Sequence, residues 1–361
     1  MKVALVHDWL IHMRGGEKVL EAIAEVFPEA TIYTLFAKPS RLSPSLQRMK
    51  IKTSVLQYFP GIQYCYRWLL PLLPFFIRSL RLEGVDLVIS SSHCVAKGIK
   101  IPKGAHHVCY CHTPMRYLWG FQDEYFGRFP RWVLTVLTPL FNWLRKWDQA
   151  TARGVHRFLC NSEHIRKKIQ TIYGCDAEVI HPPVDLAAFS PVLYSQEQRE
   201  DYYLVVSALA PYKRVDLVIQ AFNDWPRNLI IVGSGPSESE CRKQIRSGNI
   251  RMVGPVPQDA LSRLYRGAKA LIFPQEEDFG IVPLEAQASG TPVIALGRGG
   301  ALETVVEGVF FYEQTVEAIR ESIQRFESMT FDPESLRAHV LRFDKEHFKD
   351  RIRHTVENAI A

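Results

Sequence analysis

The chain lacks a long uninterrupted hydrophobic run. Its two most apolar stretches, 68–77 and 132–144, both contain proline and are shorter than the roughly 20 residues that a transmembrane helix needs. Asp8 interrupts the apolar beginning of the chain almost at once, so a signal peptide is not expected. These absences predict a cytoplasmic protein that is not integral to a membrane.

Paired cysteines and acidic metal motifs are also absent. The seven cysteines are scattered without a Cys-x-x-Cys pair, which is typical of reduced thiols rather than of a disulfide framework. No Asp-x-Asp pair occurs, so no divalent metal is expected. Gly233-x-Gly235 is too short a glycine motif to predict a nicotinamide cofactor, and no cofactor is expected.

Charge is shared unevenly along the chain. The first 190 residues contain 24 Lys and Arg against 14 Asp and Glu, whereas the remainder contains 20 against 24. This asymmetry predicts that the first half faces something anionic. Because the basic residues do not form a motif that reads RNA or DNA, nucleic acid is not an expected partner.

Short apolar runs alternate with segments of helical periodicity, and the pattern occurs twice. The first half opens with a strand over 3–8, a loop around Arg14-Gly15-Gly16 and a helix that stops at Pro28. The pattern restarts at Tyr203 after a stretch, 182–201, that reads as a linker. We therefore expect an α/β protein with two Rossmann-like domains, over 1–185 and 186–343, facing each other across a cleft.

Ligands of open parallel sheets bind beyond the carboxyl ends of the strands. The residues expected just past strand ends are Asp8, Gly15, Gly16, His112, Lys213, Gly233, Gly235 and Glu277. Asp8 is equally compatible with capping a loop and with lying next to the chemistry. His112 is favoured as a functional residue because Thr-Pro follows it at a strand end.

The stretch 273–295 is the most informative part of the sequence. Pro283 suits the first position of a helix, so the preceding residues Gly280, Ile281 and Val282 should present backbone N–H groups to an anion. Glu277 lies on the loop, and Glu285 is expected in the first helical turn. Such a pair of carboxylates can accept hydrogen bonds from sugar hydroxyls while the N–H groups hold phosphate.

Several motifs resemble one enzyme family. Glu277 and Glu285, separated by seven residues, are followed by Ala-x-Ser-Gly-Thr-Pro and by Gly299-Gly300-x-x-Glu303. The chain thereby resembles the retaining family-four glycosyltransferases of the GT-B fold, and the resemblance extends over nearly its whole length. The segments 111–119 and 211–216 are similar to a bacterial branch of mannosyltransferases that use GDP-mannose in the assembly of cell-surface polysaccharides.

The resemblance implies a role for each site residue. Glu285 would bind the ribose, Glu277 the donor hexose and Lys213 the diphosphate, with His112 near the transferred sugar. The remaining donor contacts would come from Gly15, Gly16, Arg214, Gly280, Ile281 and Val282. Where the family usually has arginine this chain has Ala208, so Lys213, with Arg214 or Arg298, would neutralise the diphosphate.

The resemblance also implies domain roles and partners. The first domain would bind a saccharide or polyprenyl-diphosphate-linked saccharide acceptor, the second would bind the nucleotide sugar, and a helix over 344–361 would return to the first domain. Transfer would proceed with retention through a short-lived oxocarbenium ion pair. The alternatives are a GT-B epimerase or phosphorylase and a non-catalytic nucleotide-sugar-binding or scaffold protein.

Two segments rich in Trp, Leu, Phe and Arg have two interpretations. They span 64–81 and 128–146. They are either core helices or a peripheral contact with an anionic membrane surface, which would lie at the inner face of the membrane.

Overall fold

The computed structural model describes residues 1–120, 130–189 and 194–360. Contacts divide the chain into two units, one of Met1–Pro183 with Lys345–Ala361 and one of Val184–Asp344. Each unit contains a parallel sheet with helices on it, which confirms the predicted fold class of two Rossmann-like domains. No helix in the described residues combines the length and the hydropathy needed to cross a bilayer.

The first unit contains a seven-stranded parallel sheet in the order β3-β2-β1-β4-β5-β6-β7. Its strands are β1 Val3–His7, β2 Thr31–Thr34, β3 Ile51–Thr53, β4 Leu87–Ser92, β5 His106–Cys111, β6 Arg157–Cys160 and β7 Ala177–Val179. Its α-helices ahead of the second unit are α1 Gly15–Val26, α2 Pro44–Gln47, α3 Ile62–Cys65, α4 Leu73–Ser79, α5 Arg131–Ala152 and α6 Glu163–Tyr173.

The second unit contains a six-stranded parallel sheet in the order β10-β9-β8-β11-β12-β13. Its strands are β8 Tyr203–Val206, β9 Leu229–Val232, β10 Ile250–Gly254, β11 Leu271–Phe273, β12 Val293–Leu296 and β13 Val309–Phe311. Its α-helices are α7 Val215–Phe222, α8 Glu238–Gln244, α9 Gln258–Gly267, α10 Ile281–Ala288, α11 Ala301–Thr304, α12 Val316–Glu327 and α13 Pro333–Val340.

The central strands are buried on both faces, as their continuous apolar sequences require. In β1, Val6 packs into one core cluster and its neighbour Leu5 into another on the opposite face. In β8, Val205 and Leu204 divide between two clusters in the same way. Because alternate side chains of a strand point to opposite faces, each sheet has a hydrophobic core on both sides.

The last helix, α14 (Lys345–Ile360), belongs to the first unit. Its residues Phe348, Ile352 and Val356 recur every four positions and are buried with Leu20 and Ile23 of α1. This spacing gives the helix one apolar face, which packs against α1.

The stretch 182–201 is not a free linker in its described part, and residues 190–193 lie outside the described residues. Val184 donates its N–H to the carbonyl of Phe343 at 2.9 Å, and Phe189 is buried. The Arg199 guanidinium donates to the carbonyls of Gly290 and Ala268 at 2.6 and 2.9 Å. The sequence could not reveal this packing, because these two acceptor carbonyls lie more than 60 residues away from Arg199.

The direction of strand order reverses once in each sheet, between β1 and β4 and between β8 and β11. In open α/β sheets, ligand sites lie outside the carboxyl ends of the strands at such a reversal. The polar residues that follow these four strands are therefore the ones to inspect for a site.

Candidate functional site

Lys213 follows β8 of the second unit. A single 3-10 turn, Pro211–Lys213, connects the loop after β8 to α7. Arg214 ends this turn in the left-handed conformation with φ of 52°, and its guanidinium lies 3.4 Å from Asp216. The Lys213 side chain is largely buried, and its Nζ lies 5.0 Å from the centroid of the Tyr212 ring.

Glu277 follows β11, the strand next to β8. Its carboxylate forms an ion pair with Lys213, and the two side chains are 19% and 11% exposed. Partial removal from water strengthens the attraction between such charges. The structure thus brings together two of the three predicted catalytic residues at the strand-order reversal of the second sheet.

Helix α10 begins earlier than the sequence indicated. Gly280 precedes it with φ of 98°, Ile281 is its first residue, and Pro283 is its third rather than its first. Because the first N–H groups of an α-helix have no partner within the helix and proline has none, the groups at this terminus are those of Ile281 and Val282. The predicted anion-binding residues therefore lie at the helix start, but Pro283 is not the residue that opens it.

Glu285 is the fifth residue of α10 and lies in its second turn, not in the first as expected. Tyr265 of α9 donates its hydroxyl to the Glu285 carboxylate at 2.9 Å. Tyr265 is fully buried, and burial raises the pKa of its hydroxyl well above the ordinary value, so this hydroxyl remains a donor. The sequence analysis missed Tyr265, since no spacing pattern links two residues on different helices.

The glycines after β12 hold the Glu277 loop. Gly300 donates its N–H to the carbonyl of Glu277 at 2.8 Å, and Gly299 has φ of 62°. A Cβ at Gly299 or Gly300 would overlap the backbone of Glu277 or Phe279. The glycine pair therefore allows close approach of two loops. The neighbouring Arg298 donates to the carbonyl of Tyr312 at 2.9 Å.

Gly233 and Gly235 have a similar packing role. The loops after β8 and β9 run against each other, and Leu209 donates its N–H to the carbonyl of Ser234 at 3.0 Å. A Cβ at Gly233 or Gly235 would overlap the backbone of Ser207 or Leu209. Ala208 lies in this loop and is exposed, so the position where the family usually has arginine contributes no charge.

A cluster of histidines lies at the strand-order reversal of the first sheet. His112 follows β5, and its Nε2 lies 2.8 Å from Ser91 Oγ. The same hydroxyl lies 3.1 Å from Nδ1 of His7, which is fully buried. Burial lowers the pKa of His7 to about 3, so its ring is neutral near pH 7. The Ser91 hydroxyl thus lies within hydrogen-bond distance of both the neutral His7 and the predicted functional residue His112.

The predicted glycine pair Gly15-Gly16 lies beside this cluster. Gly15 and Gly16 are the first two residues of α1, which begins two residues earlier than expected. A Cβ at Gly16 would lie 3.7 Å from His112 Nε2 and 3.7 Å from His7 Cε1. The start of α1 therefore presents its N–H groups next to the two imidazoles.

Asp8 anchors a loop. Its carboxylate accepts the backbone N–H groups of four consecutive residues, 93–96, at 2.8, 3.0, 2.6 and 2.7 Å. It is fully buried and also lies 3.1 Å from Nδ1 of His93. These contacts favour the loop-capping interpretation of Asp8 over a role next to the chemistry.

Sequence reasoning missed His7, Ser91 and His93. A signal for them was available, because the polar run Ser90-Ser91-Ser92-His93 closes the buried strand β4 and His7 is the last residue of β1. The strand-end rule applied to these residues as well as to Asp8.

Comparison with known families agrees with this arrangement. Residues 13–188 match the family described as Glycosyltransferase Family 4, and residues 194–340 match the family described as Glycosyl transferases group 1. The chain belongs to the GT-B glycosyltransferase family. The two matches together extend over most of both units.

Individual relatives match part of the chain. D-inositol 3-phosphate glycosyltransferases of Kribbella flavida and Frankia alni are 31% and 30% identical over 191 residues. Each match covers 45% of this chain and 45% or 47% of the relative. The chain spans about half the length of the curated relatives that it matches.

Solved structures match the fold over nearly the whole chain. Sucrose-phosphate synthase from Thermosynechococcus elongatus has a TM-score of 0.73 at 17% identity, covering 99% of both chains. HepE of Anabaena, solved in complex with UDP-glucose, has a TM-score of 0.68 at 17% identity, covering 99% of this chain and 100% of that one. At this identity the likeness concerns the fold alone.

Proposed function

We propose that this GT-B family member transfers a hexose from a nucleoside diphosphate sugar to a hydroxyl group of an acceptor, with retention of anomeric configuration. The observation that carries the proposal is the ion pair of Lys213 and Glu277, formed at the strand-order reversal of the second sheet. The start of α10 follows on the same loop as Glu277. A cation and helix N–H groups suit a diphosphate, and a carboxylate suits sugar hydroxyls.

The charge requirements of the reaction fit these groups. The bond between the sugar C1 and the β-phosphate oxygen breaks, and negative charge develops on the departing diphosphate. Lys213 and the N–H groups of Ile281 and Val282 would stabilise that charge. The acceptor oxygen forms the new bond to C1, and its proton passes to the departing phosphate. Removing one such donor in other enzymes typically slows turnover by about 10²- to 10³-fold.

The two carboxylates would hold the rings on either side of the diphosphate. We assign Glu277 to the hydroxyls of the transferred hexose and Glu285 to those of the ribose. The hydrogen bond from Tyr265 fixes one oxygen of Glu285. A carboxylate has about four acceptor positions, so a ribose hydroxyl can still donate to Glu285. His112 is proposed to contact the transferred sugar.

For the donor, we propose GDP-mannose. The support is the resemblance of residues 111–119 and 211–216 to the bacterial mannosyltransferases. For the acceptor, we propose a saccharide or a polyprenyl-diphosphate-linked saccharide. The names of the curated relatives make an inositol phosphate the compound to test beside it.

A donor panel tests the proposal. Melting temperatures are measured with GDP, UDP, ADP and their hexose conjugates, and the release of nucleoside diphosphate is then followed with each acceptor. Stabilisation by GDP-mannose and release of GDP are expected. Selective stabilisation by UDP-sugars would refute the choice of donor alone. Stabilisation by any donor without turnover, together with an unchanged anomeric signal in NMR spectra, would instead indicate a binding protein.

A further inference from the structure

The first unit has an unusually apolar surface in two separate segments. Among its described residues, every exposed large hydrophobic side chain except Met1 lies in 55–75 or 132–143. Tyr58 and Trp68 are 85% and 72% exposed, and Tyr64, Phe75, Trp132 and Trp143 are exposed as well. We call these six residues the aromatic surface.

The two segments belong to one structural layer. The rings of Phe75 on α4 and Trp143 on α5 stack with centroids 5.8 Å apart and an angle of 15°. Both helices also bury side chains in the same core cluster, Ile77 from α4 and Phe141 with Leu144 from α5. Residues that are far apart in sequence therefore contribute to one layer of the first unit.

The segment 62–68, which packs on the same core cluster, is apolar on both its inner and its outer side. Ile62 and Tyr66 are buried in the core, whereas Tyr64 and Trp68, two positions further along in each case, are exposed. A helix at the surface of a soluble domain ordinarily has polar residues on its outer face. The core therefore accounts for the inner residues of this segment but not for the outer aromatic ones.

The charged residues within the two sequence ranges that contain this surface are all basic. Residues 30–82 contain eight Lys and Arg and no Asp or Glu, and residues 130–147 contain three Lys and Arg and no Asp or Glu. Arg67, Arg78, Arg81 and Lys146 are exposed. Trp and Tyr are the side chains that enter the headgroup region of a bilayer, and basic residues beside them attract anionic lipid.

We infer that the aromatic surface docks onto a bilayer containing anionic phospholipid. The exposed aromatic rings and the exposed basic residues of the same segments decide for this partner, because an interface between two copies of the chain would bring those positive charges together. The inference does not depend on the proposed roles of Lys213 and Glu277, which lie in the second unit. Docking of the first unit would bring the protein to a surface where lipid-linked acceptors reside.

Vesicle binding tests the inference with the full chain. Sedimentation is measured with vesicles of phosphatidylcholine alone and with vesicles in which about one headgroup in three is anionic phosphatidylglycerol. Each measurement is made at low and at raised salt concentration. Binding to the anionic vesicles, weakened by salt, is expected. Equal binding to both vesicles, or none to either, overturns the inference.

Matched variants locate the contact. Y64S/L72S removes two exposed apolar side chains from the first unit, whereas Y312S/L341S removes the same two residue types from exposed positions of the second. The first variant should bind vesicles at least about tenfold more weakly than the unaltered chain, and the affinity of the second should not change.

The basic residues are tested with a second pair of variants. R78Q/R81Q should bind anionic vesicles about 30-fold more weakly, since each basic residue near the surface contributes about a factor of five to the affinity. The exposed pair K243Q/R246Q of the second unit should lose little vesicle affinity.

Two further measurements distinguish the other outcomes. Analytical ultracentrifugation that shows a dimer dissociated by Y64S/L72S, without vesicle binding by the unaltered chain, assigns the aromatic surface to a second copy and overturns the inference. Turnover of a soluble donor and soluble acceptor should be the same in Y64S/L72S as in the unaltered chain. A loss of vesicle binding with that turnover intact supports docking, and failure of docking leaves the proposed transfer reaction standing.

Discussion

Lys213 and Glu277 lie on loops after two neighbouring strands, β8 and β11, and meet as a largely buried ion pair. Each residue thereby neutralises the other near the start of α10. In the proposed reaction, a diphosphate approaching Lys213 would compete with the carboxylate for the same ammonium group. The ion pair therefore holds both side chains in place, and Lys213 could exchange the Glu277 carboxylate for the proposed diphosphate.

Replacing Lys213 should separate catalysis from folding. We expect K213Q to reduce kcat by about 10²- to 10³-fold, because the charge that opposes the departing diphosphate is lost. The variant should also melt at a lower temperature than the unaltered chain, since the largely buried Glu277 loses its ion pair with Lys213. Steady-state kinetics and thermal melting measure the two effects.

The double variant K213Q/E277Q provides the contrast. Removing both charges should restore most of the melting temperature but none of the activity. The exposed Lys243 in the same unit is the matched control, and K243Q should change neither quantity. Normal turnover in K213Q would contradict the proposed role of Lys213.

The hydrogen bond from Tyr265 to Glu285 should affect donor binding. Y265F keeps the buried ring and removes only the hydroxyl, so Glu285 loses one hydrogen bond that orients its carboxylate for the proposed ribose contact. One hydrogen bond to a charged group contributes about 1.5–3 kcal/mol, which sets an upper range of about 10- to 100-fold for the rise in donor KM. Titration calorimetry with the nucleoside diphosphate measures the change directly.

The control for this variant is Tyr203, another fully buried tyrosine of the second unit. Its hydroxyl donates to Glu327 at 3.0 Å, so Y203F removes an equivalent bond to a carboxylate outside the candidate site. Y203F should lower stability without changing donor affinity. Equal effects of the two substitutions on KM would show that the Tyr265 bond acts only through folding.

Ser91 is expected to position His112. S91A removes the hydroxyl between His7 and His112, so the imidazole of His112 loses one contact that orients its ring. We expect kcat to fall by about tenfold, with little change in donor KM, because positioning affects the reacting centre more than the diphosphate. The pH profile of kcat should also shift, which a purely structural role would not produce.

The adjacent Ser90 offers a matched substitution. It is equally buried, and its hydroxyl lies 2.8 Å from Nε2 of His107, a histidine outside the cluster around His112. S90A should therefore leave the pH profile of kcat unchanged. A shift of the same size in S90A and S91A would rule out a specific link between Ser91 and His112.

The strands were predictable from the sequence because a strand buried on both faces of a sheet consists of a continuous run of apolar residues. The apolar runs at 3–7 and 203–206 are strands, as expected, and each fills a core on both sides of its sheet. The start of α10 was misplaced by two residues. Proline fits any position of the first helical turn, so Pro283 alone could not fix which position it occupies.

The side-chain partners within the site were not predictable in the same way. The strand-end rule selected Lys213 and Glu277 separately, but their contact depends on β8 and β11 being neighbours. Tyr265 and Ser91 reach Glu285 and His112 through the packing of distant segments. A single sequence contains no local pattern from which such a pairing follows.

A methyl group at Gly235 should disturb the proposed donor site by displacing the neighbouring loop after β8. A Cβ at this position would overlap the backbone of Leu209, so G235A must displace the loop that leads to Lys213. We expect a destabilisation of more than about 1 kcal/mol and weaker donor binding. Gly248 is the control, because a Cβ there meets nothing within 4 Å, and G248A should stay within about 0.5 kcal/mol. Equal urea midpoints for the two variants would contradict the expected overlap.

Buried histidines should make the first unit less stable in acid. Burial lowers the pKa of His7 to about 3 and that of His107 to about 4, whereas a histidine of the unfolded chain titrates near 6.5. Between about pH 6.5 and 4 the unfolded chain binds protons at both positions that the folded chain does not. The free energy of unfolding should therefore fall as pH falls through this range, by up to about 1.4 kcal/mol per pH unit for each histidine, and should not depend on these groups above it.

Urea unfolding at pH 7.5 and pH 5.0 measures this dependence. H107Q should be less stable than the unaltered chain at pH 7.5, because the contacts of His107 with Ser90 and Gly154 change. Its loss of stability between the two pH values should nevertheless be smaller, since the protonation difference of His107 is gone. His106 is the neighbouring, partly exposed histidine, and H106Q should retain the full dependence on pH. If H107Q loses as much stability in acid as the unaltered chain, protonation of the buried His107 is not a cause of the acid sensitivity.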